Sequence, residues 1–491
     1  MSTGPRETIA ERPRNTEGDD VFHRRLLWGI AGLMIVALWI RPLTSSLWLD
    51  EMGTWWVVKD GVRDVIHRSF DVQGESPLYY LFAWLTRQPA GPREWALRLP
   101  SIVFAAGSAV LLFRFARRII DTEYARISVV AFIVWPAVSF SAADYRPYAL
   151  ATFGLIGSTT ILADWLDRGT RPRGCAYALS LVGLIYVHYL FGLIVPVHAC
   201  YAFARTRERS TKVPFRSFVV AVSAAAILVA PLYAQIAALW GLRTVWVVQN
   251  PVTVPWVVSL VVPTAFVVAG IVALAISLAS PRRRAGSIRP GRAEIVLLIA
   301  WLVIPLAALL VADRLEERYT LVAAPAAILL AALAIRWIEP AAARGTVMLV
   351  LAIVSAATLG GVHHGDDWRG ALRTVSSRDE ERSAVIIQTG FQQAGQLSSF
   401  ADPEERGFLA SPVSIYGVHG RLYLLPNDVG SAMPFDQREV VSAMEGTDRI
   451  FLVTGSAVTP VWFGEFLRPY GWTGEQLPTQ GDPAVYEFTR A

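Results

Sequence analysis

Asp50 and Glu51 stand side by side in LWLDEMGTWW, where two carboxylates meet three tryptophans just beyond the first long apolar segment. Acidic side chains in or beside hydrocarbon are costly, so a pair kept there reads as functional. The tryptophans mark the water boundary of a bilayer, a place where a substrate carried in lipid can meet one dissolved in water. The competing reading is that both acids cap the helix that follows, since free amides and the helix dipole favour negative charge at an N-terminus. A third acid, Asp144 in SAADYRPYAL, stands at the end of another apolar segment on the same expected side. It either completes an acidic site or pairs with Arg146 at a turn between helices.

The elements that must position these residues are membrane helices. Hydrophobic residues make up 54% of the 491-residue chain and charged residues 17%, outside the range of soluble domains. The net charge of +5 is carried by short basic clusters between apolar segments, which is a topology signal and argues against a nucleic-acid partner. Cys175 and Cys200 lack metal-ligand spacing and read as packing residues. At about 20 residues per span, apolar segments fall near 26–43, 100–119, 125–143, 146–166, 175–193, 190–206, 215–239, 256–279, 293–312, 319–338 and 344–362, about eleven in all. Basic clusters occupy every second loop: Arg114, Arg117, Arg118 and Arg126; Arg168, Arg171 and Arg173; Arg205, Arg207, Arg209 and Lys212; Arg282, Arg283, Arg284, Arg289 and Arg292. That alternation predicts a multi-pass plasma-membrane protein with a cytoplasmic amino terminus and a carboxyl-terminal part on the opposite side. Residues 1–24, polar and rich in Arg, Glu and Pro, read as a disordered cytoplasmic tail.

Two stretches are too long to be simple connectors. In the first, 44–99, Trp55, Trp56, Val57, Val62, Val65 and Ile66 alternate with Lys59, Asp60, Arg63, Asp64 and Arg68, a pattern suited to amphipathic helices lying on the membrane. The apolar piece PLYYLFAWLT from Pro77 is too short to span. In the second, 363–491, the runs SAVIIQT, RLYLL, RIFLVTG and AVYEFT predict strands of a small extracytoplasmic α/β domain. His363, His364, Asp366 and Asp367 look like a metal cluster but fall at a membrane exit and read as a loop or hinge.

An ordered set of motifs runs between residues 24 and 375: LDE after the first span, GESPLYYLFAWL, EWALRLPSIVF, ADYRPYAL, VHYLFGL, ERYTLVAAP and DDWRGAL. In these the chain resembles the GT-C superfamily of membrane glycosyltransferases that take sugars from polyprenyl phosphates. The resemblance is to the bacterial branch related to protein O-mannosyltransferases (glycosyltransferase family 39) and to the lipid A aminoarabinose transferase. Glu75 and Ser76 depart from the family, whose members often carry His-Pro there, so no histidine role transfers to that position.

The resemblance implies a GT-C transmembrane catalytic domain over 25–362 and an inverting transfer of sugar from a polyprenyl-phosphate donor to an extracytoplasmic acceptor: protein, glycolipid or cell-envelope glycan. It maps the general base onto Asp50, leaves Glu51 to support it, and makes Asp144 a third catalytic candidate. The leaving phosphate calls for arginine, whose planar fork matches phosphate oxygens. Arg318 in ERYTL is the preferred ligand, with Arg98, Arg146 and Arg314 as further candidates. Arg318 could instead snorkel at a helix end, and Arg98 could fasten the loop to the second span through Glu94 or Asp50. Tyr79, Tyr80, Tyr145, Tyr148, His188 and Tyr319 are the substrate-lining candidates, although a lone histidine on an apolar helix more often packs than reacts. No cofactor is required, and a divalent cation could sit among Asp50, Glu51 and Asp144. A transporter or flippase of an envelope component is the alternative from another class; it predicts paired repeats and broken helices with polar residues near the midplane. A scaffold whose tail binds a partner would leave the loop acids unexplained.

Overall fold

The computed structural model describes residues 16–71, 76–242, 263–279, 290–338, 341–359, 365–378, 382–430 and 433–490. Residues 1–15, Glu75, the basic residues Arg282, Arg283, Arg284 and Arg289, and His363 with His364 lie outside the described residues.

Helix α1 (Thr16–Met34) widens into a π turn (Ile35–Ile40) and closes with a 3-10 turn (Arg41–Thr44). Pro42 in that last turn has no amide to donate and ends the helix. The start at Thr16 corrects the expected disordered tail through residue 24. His23 is buried 3.3 Å from Glu123.

A helix or broken helix occupies each of the eleven apolar positions. Among the described residues six helices are long and apolar enough to cross a membrane, or seven if α6 (Thr122–Ile133) and α7 (Pro136–Ala142), bent by 68°, form one span. Pro136 opens α7 and accounts for the bend. The long helices include α5 (Glu94–Ile119), α8 (Tyr148–Arg168), α14 (Arg292–Val311) and α16 (Ala341–Leu359). The shorter α9 (Arg171–Val187), α10 (Ile194–Arg207) and α15 (Ala324–Arg336) pack with them around one core that includes Leu112, Phe132, Leu155, Tyr177 and Trp301.

The two ends of this bundle differ in charge chemistry. At one end Arg118 pairs with Asp164 at 3.0 Å and Asp167 at 2.5 Å, Arg205 reaches Asp167 at 2.7 Å, and Arg336 and Arg344 hold Asp121 and Glu123 at 2.9 and 2.8 Å. The other end carries the first loop and the terminal domain.

The first loop folds into α2 (Leu49–Val58), α3 (Val62–Asp71) and α4 (Pro77–Ala90). The expected surface-lying character of α2 is corrected: Glu51 through Val58 are all buried, because the terminal domain covers the helix. Trp55 and Trp56 are therefore core residues, not a lipid-boundary belt. Trp56 meets Phe408 edge-on at 5.8 Å and lies under the Arg68 guanidinium at 4.3 Å. Arg68 also binds Asp60 at 2.6 Å and Glu404 at 2.9 Å, pinning α3 to the terminal domain.

The terminal domain is the expected α/β unit, entered through α17 (Trp368–Ser376). Its strands β1 (Ala384–Gln388), β2 (Arg421–Leu424), β3 (Arg449–Thr454), β4 (Trp472–Leu477) and β5 (Ala484–Arg490) form one sheet in the order β2-β1-β3-β5-β4. β2, β1 and β3 are parallel; β5 runs antiparallel to β3 and β4. Side chains alternate between faces: Val385, Ile387, Phe451 and Val453 join the core of the first loop, while Ala384, Ile386, Ile450 and Leu452 pack on Val440, Phe463 and Leu467. The sheet thus shares a core with the helix that bears Asp50.

Candidate active site

The first turn of α2 presents its two acids in different directions, as helix geometry requires of adjacent residues. Glu51 turns inward and is fully buried. Its Oε1 accepts from Arg98 Nε at 2.7 Å and from the Tyr145 amide at 2.7 Å; its Oε2 accepts from Arg98 Nη2 at 2.5 Å and from the Trp48 amide at 3.2 Å. The capping reading therefore describes Glu51, which closes the N-terminus of its own helix through Trp48. Four donors on two oxygens correct its assignment as a catalytic group: it holds the loop.

Arg98 is the matching strut. Besides Glu51 it donates to the carbonyls of Pro42, Leu43, Ser45 and Ser46 at 3.0, 3.2, 2.8 and 2.9 Å and to the Ser45 hydroxyl at 3.0 Å. The Pro42 carbonyl also accepts from the Ser45 amide at 3.0 Å, while the others are carbonyls that the end of the first span leaves to partners outside the helix. All five guanidinium hydrogens are committed in a fully buried position, which corrects its assignment as a phosphate ligand. The fastening role holds, through Glu51 and not through Glu94 or Asp50; Glu94 instead binds Arg369 at 2.9 Å.

Asp50 turns outward and is partly exposed, with its Oδ2 2.5 Å from Arg318 Nη1. Arg318 comes from a 3-10 turn (Glu317–Val322) more than two hundred residues away, and its Nη2 meets Glu316 at 2.7 Å. Burial works against its charge, but Tyr148, Tyr319, Asp50 and Glu316 outweigh this and raise its pKa. Its guanidinium lies 5.2 Å from the Tyr319 ring. The His188 ring stands 5.4 Å from Tyr148 and 6.3 Å from Tyr319, so three of the expected lining residues form one aromatic wall beside Arg318.

Arg146 belongs to the same site. Its Nη1 donates to Thr54 Oγ1 at 3.2 Å and, at 3.5 Å, to the Asp50 carbonyl and the Tyr80 hydroxyl. Tyr79, Tyr80 and Tyr145 are buried in the core behind this wall. The Tyr145 hydroxyl donates to the Ala83 carbonyl at 3.3 Å.

Asp144 is fully buried at the same end, its Oδ1 accepting from Trp48 Nε1 at 3.0 Å and its backbone carbonyl from Ser101 at 2.5 Å. Burial first, then the nearby charges of Glu51 and Asp50, push its pKa well above the usual carboxylate range. That favours the neutral acid over a second anion beside Asp50. Of the three acids that could share a divalent cation, Glu51 has both oxygens committed to protein donors. Among the described residues no cluster of three or more His, Cys, Asp or Glu is arranged to hold a metal. Trp48, Thr54 and Glu316 are partners that sequence reasoning missed; Thr54 could have been found, standing one helical turn after Asp50 on the same face.

Residues 74–234 match the family model described as dolichyl-phosphate-mannose-protein mannosyltransferase. In structure the chain is similar to ArnT from Cupriavidus metallidurans in the apo state, at a TM-score of 0.59 and 11% identity over 96% of this chain and 98% of that one. ArnT bound to undecaprenyl phosphate gives 0.57 and 11% over 93% and 97%. Arabinofuranosyltransferase AftD from Mycobacteria gives 0.50 and 14% over 95% of this chain and 40% of that one. At such identities the likeness is one of fold, and it agrees with the GT-C resemblance of the motifs. No curated protein sequence matches the chain.

Proposed function

We propose that the protein is an inverting glycosyltransferase that moves a sugar from a polyprenyl-phosphate carrier to an acceptor hydroxyl outside the cytoplasm, with Asp50 as general base. The observation that carries this reading is the contact of Asp50 with Arg318 at 2.5 Å, which sets a proton acceptor and a phosphate-binding group side by side. The phosphate of an arriving donor competes with Asp50 for the Arg318 fork. Its binding releases the Asp50 carboxylate toward the acceptor. The acceptor oxygen then attacks the anomeric carbon, its proton passes to Asp50, and the bond between that carbon and the phosphate oxygen breaks. Polyprenyl phosphate leaves with its developing charge on Arg318 and, through the same wall, Arg146. The likeness to an ArnT structure bound to undecaprenyl phosphate supports a lipid-phosphate donor.

The ion-pair end of the bundle, with Arg117, Arg118, Arg168, Arg171, Arg173 and Arg207, suits the cytoplasmic face, which puts Asp50 and the terminal domain outside. A carrier needs polar groups to bind cargo near the midplane. His198, buried among the helices, instead has both ring nitrogens satisfied by Thr159 and Tyr177 at 3.0 Å each.

The test is transfer by the purified protein in nanodiscs, offered polyprenyl-phosphate sugars with candidate protein, glycolipid and glycan acceptors. Asp50→Asn should cut turnover by about 100-fold or more while leaving the fold intact. A folded Asp50→Asn protein with full turnover would remove Asp50 as the base.

A further inference from the structure

A cavity of about 380 Å³ opens in the terminal domain, walled by Leu49, Asp366, Trp368, Gln388, Thr389, Gly390, Asn427, Gly455, Ser456, Asp482 and Pro483. Its position follows from topology. β1 is flanked by β2 on one side and β3 on the other, all parallel, so one connection runs from β1 to β2 and the next returns past β1 to β3. A crevice outside the carboxyl ends of strands is where such sheets hold ligands.

The floor is rigid. Gln388, the last residue of β1, accepts from Thr454 at 2.5 Å and Thr459 at 2.8 Å, and donates to the carbonyls of Pro426 and Asn427 at 2.6 and 3.1 Å. One carboxamide thereby ties together the segments that follow β1, β2 and β3. Opposite it, the Asp367 amide donates to the Asp482 carbonyl at 2.5 Å, fixing the two strands of chain that carry Asp366 and Asp482.

The chemistry of the wall selects a ligand class. Among the described residues no lysine, arginine or histidine lines it, which disfavours phosphate, nucleotide and carboxylate ligands. Its polar wall carries the carboxylates of Asp366 and Asp482, with the hydroxyls of Thr389 and Ser456 beside them. Leu49, Trp368 and Pro483 supply an apolar surface beside them. Hydroxyl donors on one side and an aliphatic ring face on the other describe a neutral saccharide, and the volume suits roughly one or two sugar rings. Leu49, which forms part of the wall, is the chain neighbour of Asp50, and Gly390 approaches it so closely that an added Cβ would lie 3.7 Å from its methyl.

We propose that this cavity is a saccharide subsite that holds a sugar unit of the acceptor beside Asp50, so that the acceptor is a glycan. The proposal rests on the reading of Asp50 as the transfer site. It makes the terminal domain the part of the protein that recognises the acceptor, while the bundle handles the donor.

Gly455 offers a clean test, because a Cβ built there meets open space and its backbone is not in the left-handed region. Gly455→Phe should fill the cavity without disturbing the fold, and Asp482→Asn should remove one acceptor. The full-length protein in nanodiscs is titrated with mannotriose, an arabinofuranosyl trisaccharide and cellotriose, followed by saturation-transfer NMR. At least one should bind the wild type with Kd on the order of 1 mM, weaken about tenfold in Asp482→Asn, and lose binding in Gly455→Phe. Hydrolysis of the lipid donor by water, measured in parallel, reads Asp50 and Arg318 alone and should be unchanged in both variants. Failure of the wild type to bind any of the three, or binding that survives in folded Gly455→Phe, would overturn the subsite. Saccharide binding without any cleavage of lipid-linked sugars would instead retain the subsite and sink the transferase reading.

Discussion

Replacing Glu51 by Gln separates a strut from a catalyst. The exchange keeps the shape but turns one oxygen, which now accepts from two donors, into an amide nitrogen that faces them. If Oε2 is the atom replaced, the bonds from Arg98 Nη2 at 2.5 Å and the Trp48 amide at 3.2 Å are both lost. The larger cost is the charge left behind: Arg98 stays fully buried without its counter-ion. Breaking one side of a buried pair costs about 3–5 kcal/mol. Arg98→Met should cost more, because it strands the carbonyls of Leu43, Ser45 and Ser46 as well as Glu51, and each unsatisfied buried acceptor adds about 1–3 kcal/mol. Thermal melts of the purified protein in detergent should therefore order as wild type, then Glu51→Gln, then Arg98→Met, with donor hydrolysis falling in step with folded protein. A Glu51→Gln protein that melts with the wild type yet fails to turn over would refute the strut and return Glu51 to the chemistry.

Arg318→Gln should raise the donor concentration needed for half-maximal turnover by about tenfold or more, through loss of a charge-assisted bond to phosphate; unchanged donor dependence would retire the assignment. Arg68→Met removes the ties to Asp60 and Glu404 and the contact with Trp56, and should loosen the terminal domain, seen as faster proteolysis between α3 and the sheet with the bundle's melt little changed. Asp366 is pushed from 3.8 to about 6 by burial and then by Asp482, so its contribution favours the fold below pH 4 and is lost as pH rises through about 6. Asp366→Asn should therefore lift stability at pH 7.5 relative to wild type by on the order of 1 kcal/mol, after allowance for solvent screening. A gain at pH 4.5 instead of pH 7.5 would contradict that sign.

What could be read without coordinates was whatever local pattern encodes. Long apolar runs placed the helices, and the apolar runs at Ala384, Arg421, Arg449 and Ala484 placed four strands. β4 escaped because only its ends, Trp472 and Leu477, are buried, so no alternation marks it. Trp55 and Trp56 were misplaced at the lipid boundary because an amphipathic pattern records that a face is covered but not by what; the cover is Phe408 and its neighbours from the terminal domain. The same limit acted on the site. Asp50 and Glu51 are indistinguishable as a dipeptide, and only the direction of α2 decides which meets Arg98 and which meets Arg318. Arg98 and Arg318 likewise looked alike as outer-side arginines, since the backbone carbonyls that consume the first come from a turn fifty residues earlier.

The site thus holds two acid–arginine pairs from adjacent acids, and their difference in burial explains why one can react. The Glu51–Arg98 pair has both side chains at 0% exposure, where separating the charges leaves each without water or partner. The Asp50–Arg318 pair keeps 28% and 24% of its side chains exposed, so water can reach each charge when the two separate. Under the proposed mechanism, exchange of Asp50 for a phosphate on Arg318 should cost less than the same exchange at Arg98, where every donor already holds the loop. The permanent pair sets the direction of the first turn of α2, and that direction holds Asp50 toward Arg318. Under the proposed mechanism this division is useful, because the resting contact would occupy Asp50 until a donor phosphate displaces it.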